Sequence, residues 1–526
     1  MSDFFSASPA ARPFKTGSIS RSFLVAMLGG AVVLAGGYAV LSKGSSASGV
    51  QGSAFNPAPA DAPQQKIEIA PQAAKPAVTV KSGGTKTAPA TPAKTVARPA
   101  LALKSGTVTK PHIVKATLSP VKVAAKPKTP VVVAKKVTRL AAAPVASRAA
   151  ETTGNDWPEY MGKGRNGISR ETGWFNGAEA KTVWQANIGS GFSSMAIAQG
   201  RLYAMGNAGN QDTVWCFNAA DGKGLWKYSY PCELMAIQHE GGPSATPTVE
   251  GGLVFTYSKR GHLHALDAAT GKVIWRHDIP GEYGGRIPQW GITSAPVVSG
   301  GTLFVMAGAP GACIMAFDKS TGAVQWKAGN DGPAYAALQV LRWKDAPYLA
   351  AFNAGGVVFY ALADGKELWR YNWKTPYDVN AAMPIIAGDK VFISTGYNTG
   401  CALVQSSNNT ELWKNKNMKN HFSASVLVGG AIYGFDESQL ACLDGNTGKT
   451  LWTADRLGKG SLIASDGKLI ILSERGELVI AEASPNAYKE LSRTQILSGK
   501  CWTAPAFSNG HVYARNAAGD LVSVKF

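Results

Sequence analysis

The sequence predicts an all-β fold, an eight-bladed β-propeller, for residues 151–526. A short pattern that ends in Trp recurs through this part of the 526-residue chain. Between its copies lie short alternating apolar runs separated by Gly-containing turns, which is typical of β-strands. Successive Trp positions are 39–51 residues apart, and that spacing matches one four-stranded propeller blade.

The repeat is clearest in a turn that has Asp or Asn, then Thr-Gly, and then Trp four residues later. The Asp or Asn side chain caps backbone amides, and Gly accepts a positive φ that a Cβ would disfavour. We place the Trp on the outer strand, where its ring can fill the wedge between two blades. We therefore interpret seven residues as structural: Trp184, Trp226, Trp275, Trp326, Trp369, Trp413 and Trp452. In the weak last copy, Leu491 takes the place of Trp.

Eight inner strands are expected, one for each blade. Their predicted starts lie near Ser193, Ser244, Ser294, Tyr335, Asn380, Ser423, Ser461 and Thr503. The last blade supplies three strands before the chain ends at Phe526. We expect residues 181–189 to supply its outer strand, so that strands from both ends of the propeller close the ring and leave no open sheet edge.

The chain before the propeller has a different composition. Residues 23–42 are uncharged and long enough to cross a bilayer as a signal anchor. Because Arg12, Lys15 and Arg21 precede this run, the positive-inside rule predicts a single-pass inner-membrane protein. Residues 1–22 would then be a short cytoplasmic N-terminus, and the propeller would lie in the periplasm. A cleaved signal peptide is the alternative, although its apolar region is normally shorter, about 7–15 residues.

Residues 43–150 predict a disordered basic linker rich in Pro, Ala and Lys. They contain 17 Lys and Arg, two acidic residues and one aromatic residue, Phe55. This linker carries most of the net charge of +19, so the propeller is nearly neutral and nucleic-acid binding is not expected. The spacing of the charges favours a self-repelling tether. Contact with anionic polymers or lipid head groups is the alternative.

The six cysteines are scattered, with no Cys-x-x-Cys pair, so neither a metal ribbon nor a thioredoxin-type site is expected. Buried thiols on strands are the expected state. If one disulfide forms, Cys216 and Cys232 are the candidates because they are near in sequence. The chain also lacks the common sequence motifs of hydrolases, metalloproteases, NTPases and nicotinamide-dependent dehydrogenases.

The turn D-x-x-T-G-x-x-x-W, together with inner strands of the S-A-P or T-A-P type, resembles the PQQ-like (pyrroloquinoline quinone) repeat family of eight-bladed propellers. Residues 156–169 (DWPEYMGKGRNGIS), 286–296, 415–421 and 501–516 resemble its BamB-like subgroup of bacterial envelope proteins. The resemblance covers about residues 155–526. Its functional implication is divided, because some relatives are quinoprotein dehydrogenases with PQQ and Ca²⁺ on the propeller axis. Others bind proteins and hold no cofactor.

The resemblance implies candidate residues for each function. As an enzyme, the protein would be a PQQ- and Ca²⁺-dependent dehydrogenase of alcohols or sugars, with Glu240 or Asp378 as the catalytic carboxylate. No two cysteines are adjacent, which departs from the alcohol-oxidising relatives. No further metal site is predicted. The candidates for binding a ligand or partner at the propeller mouth are His239, Arg286, Trp290, Asn380, His421 and Trp502.

The predicted tether favours the binding function. At about 3.1 Å per residue, an extended Pro-rich segment of this length reaches on the order of 300 Å, which suits a head that is fixed to the inner membrane while it contacts peptidoglycan or the outer membrane. We therefore predict a monomeric, membrane-anchored binding or scaffold module of cell-envelope or outer-membrane protein assembly. Its partners would be envelope proteins or polymers, and it would hold no cofactor. A quinoprotein dehydrogenase and a carbohydrate-binding or sensor head are the alternatives.

Overall fold

The computed structural model describes residues 155–343 and 346–526. In these residues, seven four-stranded sheets and one five-stranded sheet form the eight blades of a propeller, which confirms the predicted fold class. One short α-helix, Ile279–Tyr283, and one 3-10 helix, Pro376–Asp378, lie in loops. No helix within the described ranges is long and apolar enough to cross a membrane. The predicted anchor at 23–42 and the linker at 43–150 lie outside the described residues.

Blades 1 to 4 follow one another along the chain, and each runs from its inner to its outer strand. The strands of blade 1 are Ala196–Ala198, Arg201–Ala208, Gln211–Asn218 and Gly224–Pro231. Those of blade 2 are Thr248–Glu250, Leu253–Tyr257, His262–Asp267 and Val273–Asp278. Those of blade 3 are Val297–Ser299, Thr302–Ala309, Ala312–Asp318 and Val324–Ala328. Those of blade 4 are Gln339–Trp343, Ala346–Asn353, Gly356–Ala361 and Glu367–Asn372.

Blades 5 to 7 repeat the same order. The strands of blade 5 are Ile385–Ala387, Lys390–Thr395, Gly400–Gln405 and Thr410–Asn415. Those of blade 6 are Val426–Val428, Ala431–Asp436, Gln439–Asp444 and Thr450–Ala454. Those of blade 7 are Ser461–Ser465, Lys468–Leu472, Glu477–Glu482 and Glu490–Gln495.

Blade 8 closes the ring with strands from both ends of the propeller. Its inner three strands are Ala506–Ser508, His511–Arg515 and Asp520–Lys525, and its outer strand is Lys181–Asn187. The outer strand pairs antiparallel with Asp520–Lys525, as the sequence predicts. The fully buried Arg515 secures this seam, since its guanidinium donates to the carbonyl oxygens of Gly189, Ser193 and Met205.

The inner strands begin later than predicted in seven of the eight blades, by three to five residues. In front of several of these strands, a short segment bonds to a neighbouring blade before its own sheet begins. Ser194 Oγ donates to the Ala504 carbonyl, and Thr293 Oγ1 donates to the Tyr335 carbonyl. These segments precede the inner strands in sequence and place side chains near the propeller axis.

The hydrophobic core consists of layers between adjacent blades. Along the second strand of blade 3, Leu303 and Val305 pack into the layer shared with blade 2, whereas Phe304 and Met306 pack into the layer shared with blade 4. This alternation follows from the two-residue period of a strand. Because both faces of the blades are covered, the second and third strands of the blades are almost continuously apolar.

The repeated Trp and the repeated turn Gly meet across the blade boundaries. Trp275 Nε1 donates to the Lys319 carbonyl oxygen in the turn of blade 3, and the indole ring lies over Gly322 in that turn. Five other predicted structural Trp residues bond in the same way to the following blade: Trp184, Trp226, Trp326, Trp413 and Trp452. Trp369 is different, because within the described residues its indole nitrogen has no hydrogen-bond partner. It precedes the blade 5 turn SSNNT, which contains no Gly.

All six cysteines are buried free thiols. Cys216, Cys313, Cys401 and Cys442 lie on strands as expected, whereas Cys232 and Cys501 lie in loops. Cys216 and Cys232 do not form the candidate disulfide. Both belong to the apolar layer between blades 1 and 2.

The lead-in segment, residues 156–169, crosses from blade to blade at the inner ends of the sheets. Its backbone bonds to Ile197 of blade 1 and Ala464 of blade 7, and its last two residues, Ile168–Ser169, pair parallel with the inner strand of blade 7. The buried Arg165 donates to the carbonyl oxygens of Pro296 and Leu338, in front of the inner strands of blades 3 and 4. The segment therefore ties several blades together around the axis.

Candidate functional site

The loops at one face of the propeller surround a cavity of about 280 Å³. Its walls come from loops that join one blade to the next and from turns between the second and third strands. Tyr160 of the lead-in segment also lines it, and burial raises the pKa of this phenol to about 12. The cavity thus lies on the propeller axis, where the inner ends of the blades converge.

Aromatic rings form an almost continuous chain around the cavity. Each ring contacts the next, and the contributing loops belong to different blades. The centroid distances are 5.3 Å for Phe192–His239, 6.0 Å for Phe192–Trp502, 4.8 Å for Phe422–Trp502, 5.5 Å for His421–Phe422, 5.0 Å for Tyr397–His421, 5.7 Å for Tyr377–Tyr397, 6.1 Å for Trp290–Tyr377 and 5.9 Å for Trp290–Tyr335. Edge-to-face, tilted and offset-stacked pairs such as these are favourable aromatic geometries.

The outer part of this chain is exposed to solvent. We define the mouth surface as the exposed Tyr377 and Tyr397, the half-buried Trp290, and the exposed Ile237, which precedes the lining residue Gln238. Tyr377 is 64% exposed, more than any other large apolar side chain of the described residues. Tyr377 and the following Asp378 both have positive φ, at 59° and 56°. Since non-glycine residues rarely adopt this conformation, the loop holds Tyr377 outward at a cost in backbone strain.

The inner part of the cavity contains a buried cation. Lys259, in the turn between the second and third strands of blade 2, is only 2% exposed. Its Nζ lies 3.5 Å from His239 Nε2 and 5.9 Å from the centre of the Phe192 ring. Burial lowers the pKa of Lys259 to about 7, against the opposing effect of Asp212 and Glu240. Burial and the Lys259 charge lower the pKa of His239 to about 4.

Charged groups at the rim are arranged in pairs with the opposite charge. Lys500 Nζ lies 2.9 Å from Glu240 Oε1 and 4.6 Å from the centre of the Trp502 ring. On the other side, Lys459 Nζ lies 2.8 Å from His421 Nδ1 and 3.6 Å from a Glu437 oxygen. Burial and Lys459 lower the pKa of His421, while Glu437 acts in the opposite direction. These pairs neutralise the rim.

The structure brings four of the six predicted mouth residues together, since His239, Trp290, His421 and Trp502 all line the cavity. Arg286 does not line it and is exposed on the loop after the helix. Asn380 is fully buried, and its amide donates to the carbonyl oxygens of Asn353 and Trp373. It therefore holds two loops together and is not available to a ligand.

The two predicted catalytic carboxylates are not neighbours in the cavity. Asp378 is exposed beside Tyr377, and Glu240 is engaged by Lys500 at the rim. Neither side chain lines the cavity wall.

Among the lining residues that the sequence did not predict for the site are four aromatic residues and the lysine: Phe192, Tyr335, Tyr397, Phe422 and Lys259. Three of them carried a usable signal, because Phe192, Tyr335 and Phe422 stand directly before the small residue that opens an inner-strand segment, as Trp502 does. Lys259 and Tyr397 lie in turns between the second and third strands, and no repeated pattern marks them.

The donor groups of the cavity do not fit a Ca²⁺–PQQ site. Calcium takes six to eight oxygen ligands, of which carboxylates are the usual charged members. Among the described residues, no Asp, Glu or Asn side chain lines the cavity, and no group of three or more His, Cys, Asp or Glu could hold a metal ion. The nearby carboxylates of Glu240, Glu437 and Glu474 already accept from Lys500, Lys459 and Trp502.

Several solved structures are similar to this chain. BamB from Moraxella catarrhalis is 16% identical with a TM-score of 0.50, and the match covers 66% of this chain and 98% of that one. Quinohemoprotein alcohol dehydrogenase from Comamonas testosteroni is 14% identical with a TM-score of 0.56, covering 70% of this chain and 80% of that one. The alcohol dehydrogenase ADHIIG from Pseudomonas putida HK5 is 13% identical with a TM-score of 0.55, covering 71% and 80%. At these identities the likeness shows the fold alone.

No curated protein matches the chain. A family model matches residues 211–454 and 436–525, which together make up more than half of the sequence. Its description is outer membrane protein assembly factor BamB. The chain therefore belongs to this family of PQQ-like β-propellers, together with the BamB proteins that give the family its description.

Proposed function

We propose that this protein is a binding module of the cell envelope whose mouth surface docks an envelope protein during assembly. The observation that carries the proposal is the exposure of Ile237, Tyr377 and Tyr397 around an aromatic-lined cavity. Aromatic side chains that are exposed together at one end of a fold favour association with a protein, because their burial releases much apolar surface.

The chemistry of the cavity supports binding over oxidation. Its wall offers aromatic rings, hydroxyl groups, the Gln238 amide, two histidines and one lysine, and within the described residues it has none of the carboxylates that a Ca²⁺–quinone pair requires. The family description supports a role in outer-membrane or envelope assembly.

We also propose that residues 23–42 anchor the protein in the inner membrane and that the propeller works in the periplasm as a monomer. The uncharged run and the preceding Arg12, Lys15 and Arg21 support this topology. The tether at 43–150 would let the mouth surface reach partners far from the anchor.

Site-specific photocrosslinking in cells tests the docking surface. The full-length chain carries p-benzoylphenylalanine at position 237, or at position 274 as the control. Ile274 is 49% exposed and lies on the outer strand of blade 2, away from the mouth. We expect a discrete crosslinked protein from position 237 and none from position 274.

Substitutions then connect the crosslink to the mouth surface. The double variant Tyr377→Ser/Tyr397→Ser should reduce the band from position 237 at least tenfold, since truncating central aromatic residues costs about 2 kcal/mol or more of binding energy. Leu225→Ser/Leu451→Ser, on exposed outer strands, is the matched control and should leave the band unchanged. Equal bands from positions 237 and 274, or a band that survives the mouth variant, would contradict the proposal.

A further inference from the structure

The hydrogen bonds of His239 fix which of its nitrogens carries the proton. The backbone N–H of Gly241 donates to His239 Nδ1 over 3.1 Å, so this nitrogen is unprotonated. Because burial keeps the ring neutral, the proton is on Nε2. Nε2–H is therefore a donor, and it points to the side of the ring where Lys259 lies.

Two donors consequently face each other inside the cavity. His239 Nε2 and Lys259 Nζ are 3.5 Å apart, and an ammonium group has no lone pair with which to accept. Among the described residues, no carboxylate lies within ion-pair distance of Lys259. A buried ammonium without a counter-ion is costly. The arrangement lacks one component, an anionic acceptor that both donors could reach.

The surroundings define the rest of that ligand. Phe192 lies beside both donors, with its ring 5.3 Å from His239 and 5.9 Å from Lys259 Nζ. Trp502 stacks on Phe192 at 6.0 Å, and Phe422 continues the wall at 4.8 Å from Trp502. This wall suits a flat apolar body. The 280 Å³ cavity is of a size for one or two aromatic rings.

We propose that the cavity is a binding site for an aromatic carboxylate, whose carboxylate accepts from Lys259 Nζ and His239 Nε2 while its ring packs against Phe192, Trp502 and Phe422. The site lies inward of the mouth surface and does not depend on the proposed docking function. Two sources share this chemistry, a free small aromatic acid and the C-terminal aromatic residue of a polypeptide.

Calorimetric titration of the purified full-length protein with 2-naphthoate and with 2-naphthamide tests the site at pH 6. The two probes share a ring system, but only 2-naphthoate carries the anionic group. We expect 2-naphthoate to bind at least tenfold more tightly, because a charge-assisted hydrogen bond contributes about 1.5–3 kcal/mol. Equal affinities, or no binding of either probe, would overturn the proposal.

Two lysine variants locate the anion. Lys259→Met keeps most of the apolar stem and should remove the preference for 2-naphthoate while 2-naphthamide still binds. Lys227→Met is the matched control, since Lys227 also lies over an aromatic ring, Trp215, but on the exposed outer strand of blade 1. It should keep the full preference. A preference that persists in Lys259→Met, with its far-ultraviolet circular dichroism unchanged, would refute the assignment.

A third pair of probes distinguishes the two sources. The tripeptide acetyl-Ala-Ala-Phe is offered with a free C-terminus and as its amide. Binding of the free acid in preference to the amide supports the site with a polypeptide C-terminus as the source. Binding of 2-naphthoate without the tripeptide supports the site with a small acid as the source. Because the probes need no partner protein, these results are independent of the crosslinking outcome.

Discussion

At the residue scale, Lys259 is held at a free-energy cost. Its aliphatic stem packs beneath Gly291, which is close enough that an added Cβ would lie 3.0 Å from the lysine side chain. The ammonium group is therefore held in the cavity wall and cannot extend to solvent. His239, Asp212 and Glu240 are the titratable groups that act on it, and Lys500 acts on His239 from the rim. The two carboxylates do not offset the effect of burial on its pKa.

Replacing Lys259 with Met should stabilise the protein below pH 7. In the folded protein its pKa is about 7, against 10.5 for a free lysine, so the folded state binds fewer protons than the unfolded state between these values. The free energy that the folded state loses by burying the charged Lys259 is therefore largest below pH 7 and disappears as the pH rises toward 10.5. We expect Lys259→Met to gain on the order of 2 kcal/mol at pH 6 and clearly less at pH 9, measured by urea unfolding. A gain that is independent of pH would contradict this account.

At the element scale, the turn and the outer strand of adjacent blades act as one interlocking unit. Gly322 has a φ of 74°, and a Cβ added there would lie 2.8 Å from the Trp275 ring. The turn Asp supports this geometry, because Asp318 Oδ1 accepts from the backbone and hydroxyl groups of Ser320 and Thr321. The turns that contain this Gly are therefore shaped to receive the Trp of the preceding blade, whereas the blade 5 turn noted above contains no Gly.

The substitution Gly322→Ala should destabilise the propeller by on the order of 3 kcal/mol, because it combines backbone strain with a clash against Trp275. Gly311→Ala is the matched control in the same blade. Gly311 has a similar φ of 68° but no atom within 4 Å of the added Cβ, so strain alone should cost about 1 kcal/mol. Denaturant unfolding measures both values, and equal losses would show that the Trp contact contributes nothing.

The repeat made these elements predictable, but positions outside the repeat could not be predicted from it. Asp, Gly and Trp recur at fixed offsets, so the blade count and the closing strand could be derived from sequence. The cavity wall could be derived only in part, because Lys259 and Tyr397 reach it from turns that no repeat marks. Asn380 is the opposite case, a residue that was predicted at the mouth but does not line the cavity. Its buried amide donates to the carbonyl oxygens of Asn353 and Trp373. Which side chain faces the axis depends on loop geometry, and each loop has its own sequence.

At the whole-molecule scale, the two proposed binding sites lie at one end of the propeller axis. The exposed mouth surface consists of apolar side chains, as a large partner would require, and the inner cavity holds the Lys259 cation. The lead-in segment contributes Tyr160 to the cavity and bonds to several blades. The chain immediately before the propeller therefore takes part in shaping the site.

Protease treatment of intact spheroplasts tests the proposed topology. With an epitope tag at each end of the full-length chain, we expect proteinase K to cut within residues 43–150. The cut should leave the N-terminal tag protected with the membrane and release the C-terminal tag with the propeller. A cytoplasmic protein in the same sample serves as the control and should remain whole. Protection of the C-terminal tag would reverse the orientation, and absence of the N-terminal tag from mature protein would indicate a cleaved signal peptide.

The closure of blade 8 also sets the order of events when the protein is made. Lys181–Asn187 leaves the ribosome more than 300 residues before Asp520–Lys525, its pairing strand. Until synthesis is nearly finished, the first blade has no neighbour on one side, and its apolar layer remains uncovered. Contacts between such distant segments form slowly, and exposed strand edges favour aggregation in the meantime. A nascent chain that stalls before residue 520 is therefore an open arc of blades, and we expect it to depend on chaperones or to be degraded.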